Sequence, residues 1–281
     1  MMKKIVNTIR YFFIYLVLIA LSLIVIYPIA FAISGAFSRG KSLASMNVLP
    51  IPNNPTTDNF TRLFTKTNYL NWYKNSFIIA SLNTVFTIII VMITAYVFSR
   101  FKFRFKKAAL MSFLILQMFP SAIGMIAIYV ILNSIGLLDN LMGLVLVYTA
   151  GNIPYNTWLL KGYYDTIPRS IDEAAKVDGA GNFATFFRII MPNTLPMIAF
   201  LSVTSFVGPW MDFILPRFIL RSDKNKTLAV GLFEMINDRS NDNFTQFAAG
   251  ALLISVPFVI LFVINQKYLV KIMSTAGAVK E

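Results

Sequence analysis

The sequence predicts an all-α integral membrane protein with six transmembrane helices, and three observations lead there. Of 281 residues, 57% are hydrophobic and 13% charged, about half the charge of a typical soluble domain, so most of the surface must face something other than water. The apolar residues gather into six runs, each about as long as the ~20 residues that cross a bilayer core as a helix. The Lys and Arg residues fall between those runs and give a net charge of +13. In such a chain, loop charge fixes orientation and meets anionic lipid. The basic residues are scattered through loops rather than gathered on one face, so a nucleic-acid surface is not expected.

Taken in order, residues 1–10 form a basic N-terminus, and residues 11–37 run uncharged toward Arg39. That run exceeds the 7–15 residues of a signal-peptide core, so a retained first span is expected rather than a cleaved leader. Residues 39–74, with Pro50, Pro52 and Pro55, form an external loop with a short helix around Asn59–Phe64. Residues 75–98 are the second span, followed by RFKFRFKK at 100–107, five basic residues in eight. Residues 108–132, containing Pro120, form the third span, and Asn133–Asn140 is a tight turn carrying Asp139. Residues 141–160 are the fourth span, 161–193 a charged loop, and 194–216 the fifth span, with Pro196, Pro209 and Pro216. A second polar external loop at 217–246 leads to the sixth span at 247–266 and a short basic tail. Residues 11–281 are read as one membrane domain. Proline inside a span is tolerated where neighbouring helices satisfy the freed carbonyls.

With the N-terminus inside, the inner segments carry three basic residues before span one, five at 100–107, four at 161–192 and three after span six, fifteen of the 25. The dense cluster at 100–107 decides the orientation. Both termini and the 161–193 loop are then expected to be cytoplasmic in a multi-pass membrane chain.

Much chemistry is excluded. The chain has no Cys and no His, which removes disulfides, catalytic thiols, His bases and the common zinc sites, so no catalytic or metal residue is expected. GAFSRGKS at 35–42 matches GxxxxGK[ST] in letters, but it follows a long apolar run and precedes a polar loop rather than joining a strand to a helix, so ATP binding by this chain itself is not expected. The only charge inside an expected span is Asp212, near the end of the fifth, read either as interfacial or as part of a pathway. A proton- or ion-driven carrier would place more ionisable groups there, so the energy source is expected to lie outside the chain. The spans do hold Asn83, Gln117, Tyr148, Trp158, Ser205 and Trp210. Amides, hydroxyls and aromatic faces suit a neutral sugar or polyol; each also serves as helix-packing glue or an interface anchor. The candidate substrate path is therefore Asn83, Gln117, Tyr148, Ser205, Trp210 and Asp212.

The stretch TIPRSIDEAAKVDGAGNFATFFRIIMP at 166–192 is the most distinctive. Either Pro168 opens a helix in its first turn, or Ser170 and Glu173 form a capping box. Both starts leave Asp172 and Glu173 in the first turn, at the positive end of the helix dipole. Ala174 and Ala175 favour helix with little bulk, and Gly179 ends it with positive φ. Asn182 caps a second segment that Pro192 stops. Phe183, Phe186, Phe187 and Ile190 recur at i, i+3, i+4, i+7 and form one apolar stripe, which either docks on a partner or folds back on the chain's own helices.

Glu173-Ala174-Ala175, then Gly179, Ile189 and Met191-Pro192 resemble the EAA loop of ABC importer permeases, with Met-Pro where that family usually has Leu-Pro. WYKNSF at 72–77, AYVFSRFKFR at 95–104, DNLMGLVLVY at 139–148, PYNTWLLKGYYDTIP at 154–168 and WMDFILP at 210–216 extend the likeness to carbohydrate permeases of that class. TLAVGLF at 227–233 and TAGAVK at 275–280 are most similar to the smaller membrane subunit of maltose/maltodextrin importers. The resemblance implies a coupling loop between helices 4 and 5 that engages an ATPase dimer through Glu173, Ala174, Ala175, Asp178, Gly179, Phe183, Phe186 and Phe187. It implies tail contacts from Gly277, Ala278, Val279 and Lys280, although Glu281 stands where the family commonly ends in Gly. It further implies a homologous second permease subunit, an extracellular sugar-binding protein, a sugar cargo, and ATP with magnesium held by the partner ATPase rather than this chain. The alternatives are the same machinery for another sugar, a polyol or a glycerol phosphate ester, or a self-sufficient carrier or channel.

Overall fold

A computed structural model describes residues 2–43, 46–47, 49–52, 54–237 and 243–278. Helices dominate, and the described residues contain no strand. In chain order they are α1 (Met2–Phe37), α2 (Asp58–Lys66), α3 (Tyr69–Arg100), α4 (Lys106–Gln117), α5 (Ser121–Ser134), α6 (Leu141–Thr166) and α7 (Arg169–Val177). There follow α8 (Asn182–Thr185), a π-helical turn (Phe186–Ile190), α9 (Met191–Asn193), α10 (Leu195–Met211), α11 (Ile214–Ile219), a 3₁₀ turn (Asp223–Asn225), α12 (Leu228–Asn237) and α13 (Phe244–Ala278).

Three stretches of helix among the described residues are long and apolar enough to cross a membrane: Asn7–Phe37, Tyr69–Arg100 and Phe244–Tyr268. A fourth candidate is the pair Asn182–Asn193 and Leu195–Met211, bent by 76°. The 26 residues of α6 reach about 39 Å at 1.5 Å each, but Asn152, Asn156 and Thr157 make that helix more polar than the others.

Three expected boundaries are corrected. The 108–132 run is two helices, α4 and α5, because Pro120 has no N–H to continue the ladder and takes an extended conformation (ψ 124°) ahead of Ser121. The 194–216 run stops at Met211: Asp212 is extended (ψ 130°), and its Oδ1 accepts the Ile214 N–H at 2.9 Å to start α11. The 217–246 stretch is not simply a polar loop, since it contains α12, with Leu228, Val230, Leu232 and Met235 buried. The short helix expected near Asn59–Phe64 is α2.

The chain divides into two compact units, Met1–Tyr69 with Gly231–Val256, and Leu70–Val230 with Pro257–Glu281. In the first, buried Asn59 donates from Nδ2 to the Ala36 and Ser38 carbonyls, both at 2.9 Å, and accepts from Thr245 Oγ1 at 3.1 Å. Gly250 lies so close to Leu232 that an added Cβ would stand 2.7 Å from its Cδ2. Along α1, Tyr11 to Tyr27 offer exposed apolar side chains on all sides, which suits a helix solvated by lipid.

The second unit holds two apolar cores. Val91, Met92, Ala95 and Tyr96 of α3 pack with Leu160 and Tyr164 of α6, Phe186 and Ile190 of the π turn, and Met197 and Leu201 of α10. The other core joins Ile79, Leu132, Leu144, Val145, Ile219 and Leu220. The 135–140 turn between α5 and α6 is set by Gly136 (φ +70°) and Asp139 (φ +55°), and Asp is among the few side chains that adopt this region readily. Asp139 Oδ1 accepts the backbone N–H of Arg221 at 2.8 Å and of Ser222 at 3.1 Å. Burial opposes its ionisation, but the bonds from Ser222 and Arg221 prevail and hold the carboxyl below its ordinary value.

Candidate functional site: a helical handle and a cavity along one helix

The 166–193 segment folds as a handle mounted on the ends of α3 and α6. Neither expected start of α7 is realised: Pro168 is the cap residue, extended at ψ 134° with no side-chain bond, and Ser170 lies one turn-step inside the helix. Asp172 lies in the first turn as expected and Glu173 just beyond it. The far end follows the sequence closely. Gly179 takes φ +81°, its N–H donates to the Lys176 carbonyl at 3.0 Å, and the Ala180 N–H donates to the Ala175 carbonyl at 2.8 Å, which is the Schellman arrangement. The second segment begins on Gly181 rather than Asn182 as cap. Pro192 does not stop it; the bend falls at Thr194, between α9 and α10.

One face of this handle is bolted down. Asp172 Oδ2 lies 2.9 Å from Arg100 Nε, with 12% and 7% of the respective side chains exposed. Arg100 Nη2 donates to the Ile167 carbonyl at 3.0 Å, and Arg169 Nη2 to the Ser99 carbonyl at 3.3 Å. Ser99 Oγ donates to Asp165 Oδ1 at 2.7 Å. Burial would raise the Asp165 carboxyl, but bonds from Lys161 and Ser99 hold it low. Cationic groups thus close a carbonyl at the end of α3 and one at the end of α6, where the helix dipole favours them.

The expected stripe splits in two. Phe186 and Ile190 are buried, Phe186 at 4.8 Å from the Tyr96 ring centroid, while Phe183 and Phe187 are 81% and 48% exposed and stack at 6.0 Å. The segment then widens into a π turn, in which the Met191 N–H reaches back five residues to the Phe186 carbonyl. Ala175, at 4% exposure, faces its own chain and not outward. The free edge of the handle is therefore Glu173, Ala174, Val177, Asp178, Gly179, Phe183 and Phe187. Sequence reading missed Val177, 88% exposed, although it follows Glu173 and Ala174 at i+4 and i+3. It also missed the Arg100–Asp172 pair, which joins residues far apart in sequence and leaves no periodic signal.

Of the expected path residues, the structure brings Tyr148 and Asp212 together. The Tyr148 hydroxyl donates to Asp212 Oδ2 at 2.7 Å, on the wall of a cavity of about 610 Å³ lined mainly by apolar side chains such as Ile128 and Leu215. Asn152, one turn on from Tyr148, lines it too; the i, i+4 spacing was the available signal. Asn83 is fully buried: its Nδ2 donates to the Ser205 carbonyl at 2.7 Å, and its Oδ1 accepts from Thr149 Oγ1 and Asn152 Nδ2 at 3.3 Å. Ser205 is buried beside it. Trp210 is fully buried, stacked on Phe206 at 5.4 Å. These three hold helices together and do not line the cavity. Gln117, exposed at the end of α4, does not line it either. Of the expected tail, Gly277 and Ala278 continue the α13 backbone, and Val279 and Lys280 lie outside the described residues.

The fold is shared with a chain of a solved transporter. The chain superposes with a TM-score of 0.81 on a chain from the crystal structure of a bacterial ABC transporter involved in the import of the acidic polysaccharide alginate, at 22% identity, covering 94% of this chain and 97% of that one. The pattern described as binding-protein-dependent transport system inner membrane component matches residues 87–275, and the chain belongs to that family. Among its relatives are the galactooligosaccharides transport system permease protein GanQ of Bacillus subtilis (strain 168), 41% identical with 98% of this chain and 97% of that protein covered, and the maltodextrin transport system permease protein MdxG of the same organism, 42% identical with 94% of each covered. The maltose/maltodextrin transport system permease protein MalG of Vibrio vulnificus (strain YJ016) is 30% identical over 91% of each.

Proposed function

We propose that this chain is the membrane-spanning permease subunit of an ATP-driven sugar importer, and that its cargo is a maltose/maltodextrin-type oligosaccharide. The observation that carries the coupling role is the two-sided handle: one face is tied to α3 by Arg100–Asp172 and by Phe186 against Tyr96, and the other leaves Val177 and Phe183 in the open. Such a free edge fits a partner's cleft, and burial of a Val or Phe side chain contributes roughly 1.5–3 kcal/mol each. The partner is an ATPase dimer that holds ATP and magnesium. Its closure moves the handle, and the ion pair carries that motion into α3 while the buried aromatics carry it into α6 and α10. A second, homologous permease completes the path, and an external sugar-binding protein delivers the cargo. Both termini are cytoplasmic, on the ATPase side, and the tail at Gly277–Lys280 reaches toward the ATPases.

The neutral groups and single carboxylate along the cavity suit an uncharged, hydroxyl-rich cargo. GanQ, as similar as MdxG, favours a second reading in which the cargo is a galactooligosaccharide. Vesicles holding the full complex decide between them: labelled maltodextrin uptake that depends on ATP and is not suppressed by excess galactooligosaccharide supports the first reading. The reverse competition supports the second, and sugar flux through this chain alone, without any ATPase, overturns the importer reading altogether.

A further inference from the structure

A groove of about 430 Å³ runs beside the first two turns of α4, apart from both the handle edge and the cavity at Tyr148. Its rim is cationic: Arg104, Lys106, Lys107 and Lys161. Its floor is apolar, with Leu110, Met111, Leu114 and Trp158.

The four cations are not equally engaged. Lys161 is paired with Asp165, and Lys106 donates to the Phe101 carbonyl at 3.1 Å. Arg104 lies over the Phe105 ring at 5.6 Å, and neither Arg104 nor Lys107 forms an ion pair among the described residues. The helix beneath them makes this arrangement costly. The first turn of α4 contains no acid, and its cap residue, Phe105, offers no side-chain acceptor, so two lysines stand at the positive end of a helix dipole. Lys106 holds its proton less firmly than usual, first through burial and then through repulsion by Lys161. An anion in the groove relieves all of these at once.

The floor says what kind of anion. Trp158 is fixed by its Nε1–H, which donates to the Leu110 carbonyl at 2.8 Å. Met111 and Leu114 continue the wall along α4, 49% and 42% exposed. A free phosphate or a nucleotide has no use for that wall, whereas an acyl chain does. Basic pockets between membrane helices are where anionic headgroups bind.

We propose that this groove is a binding site for an anionic phospholipid, its phosphate between Arg104 and Lys107 and one acyl chain along Met111 and Leu114. The site rests on the chain's lying in a membrane, and neither on its cargo nor on the coupling role.

The test is lipid retention by the assembled transporter, purified in mild detergent and weighed intact after addition of phosphatidylglycerol or phosphatidylcholine. The wild type keeps phosphatidylglycerol in preference. Arg104→Gln with Lys107→Gln binds it about thirty-fold more weakly, the effect of two surface cations, while Arg104→Lys with Lys107→Arg keeps it. Lys102→Gln, in the same basic loop but outside the groove, matches the wild type, and millimolar inorganic phosphate does not displace the lipid. Equal retention of the two lipids, equal loss in the Lys102 variant, no loss in the double glutamine variant, or displacement by phosphate would each overturn the site. The readout does not involve transport, so a different cargo or a failed coupling role leaves it unchanged.

Discussion

Two polar clusters sit on one helix, α6, and are built on opposite lines. At its far end Lys161 and Asp165 lie with Arg100, Arg169 and Asp172, acidic and basic side chains together. Near its start Tyr148, Thr149 and Asn152 join Asn83 and Ser205, neutral apart from Asp212. Tyr148 and Asp165 are about 26 Å apart along the helix at 1.5 Å per residue. A charge at the middle of a bilayer costs roughly 2.5–3.5 kcal/mol, while amides and hydroxyls can satisfy one another. The contrast teaches that charged side chains tie the 166–193 segment and the ends of α3 and α6 together, while amides and hydroxyls tie α3, α6 and α10 to each other.

The largest effect is expected at the charged end. Asp172→Ala leaves the Arg100 side chain buried and without its carboxylate, which costs about 3–5 kcal/mol. Thermal melting of the purified chain should fall sharply and ATP-driven uptake should be lost, with partial recovery in Asp172→Arg combined with Arg100→Asp. At the neutral end, Asn83→Ala strands the Ser205 carbonyl and the Thr149 and Asn152 donors. The expected loss is about 1–3 kcal/mol, read by the same melting measurement, and a loss as large as that of Asp172→Ala would erase the distinction. Gly179→Val comes next. Its φ of +81° costs a side chain about 1–2 kcal/mol, so the end of the handle should refold locally, and transport should fall more than thermal stability does.

Much of this was legible before any coordinates. The helix end at Gly179, the short α2, and the pairing of an apolar stretch with a basic flank are local signals, and local chemistry decides them. What could not be read was geometry that depends on a second element. Phe186 packs inward against Tyr96 of α3 and Phe183 stays out, although both fit one stripe at 3.6 residues. Asn83, Ser205 and Trp210 suited a sugar as residue types, but packing against α3, α6 and α10 gave them to the interior. Arg100 looked like one of five loop cations until α7 brought Asp172 beside it.

Smaller effects sharpen the picture. Asp139 carries a depressed carboxyl, so its contribution is fully present above the ordinary value of about 3.9. It is lost as pH falls through the lower, folded value. The melting difference between wild type and Asp139→Asn should therefore be constant near neutrality and shrink below about pH 4. Phe183→Ala should change the chain's own melting by under about 0.5 kcal/mol, as for an exposed side chain, while weakening retention of the ATPase subunits on affinity capture.

The central claim is that the open edge of the handle engages a separate motor on the cytoplasmic side. Because the chain has no cysteine, Phe183→Cys introduces a single thiol at that edge. Labelling it with a membrane-impermeant maleimide, in intact cells and in inside-out vesicles with and without the ATPase subunits, tests the claim directly. The account predicts no labelling in cells, labelling in stripped vesicles, and protection when the ATPases are restored. Labelling from outside intact cells, or no protection by the ATPases, would contradict it.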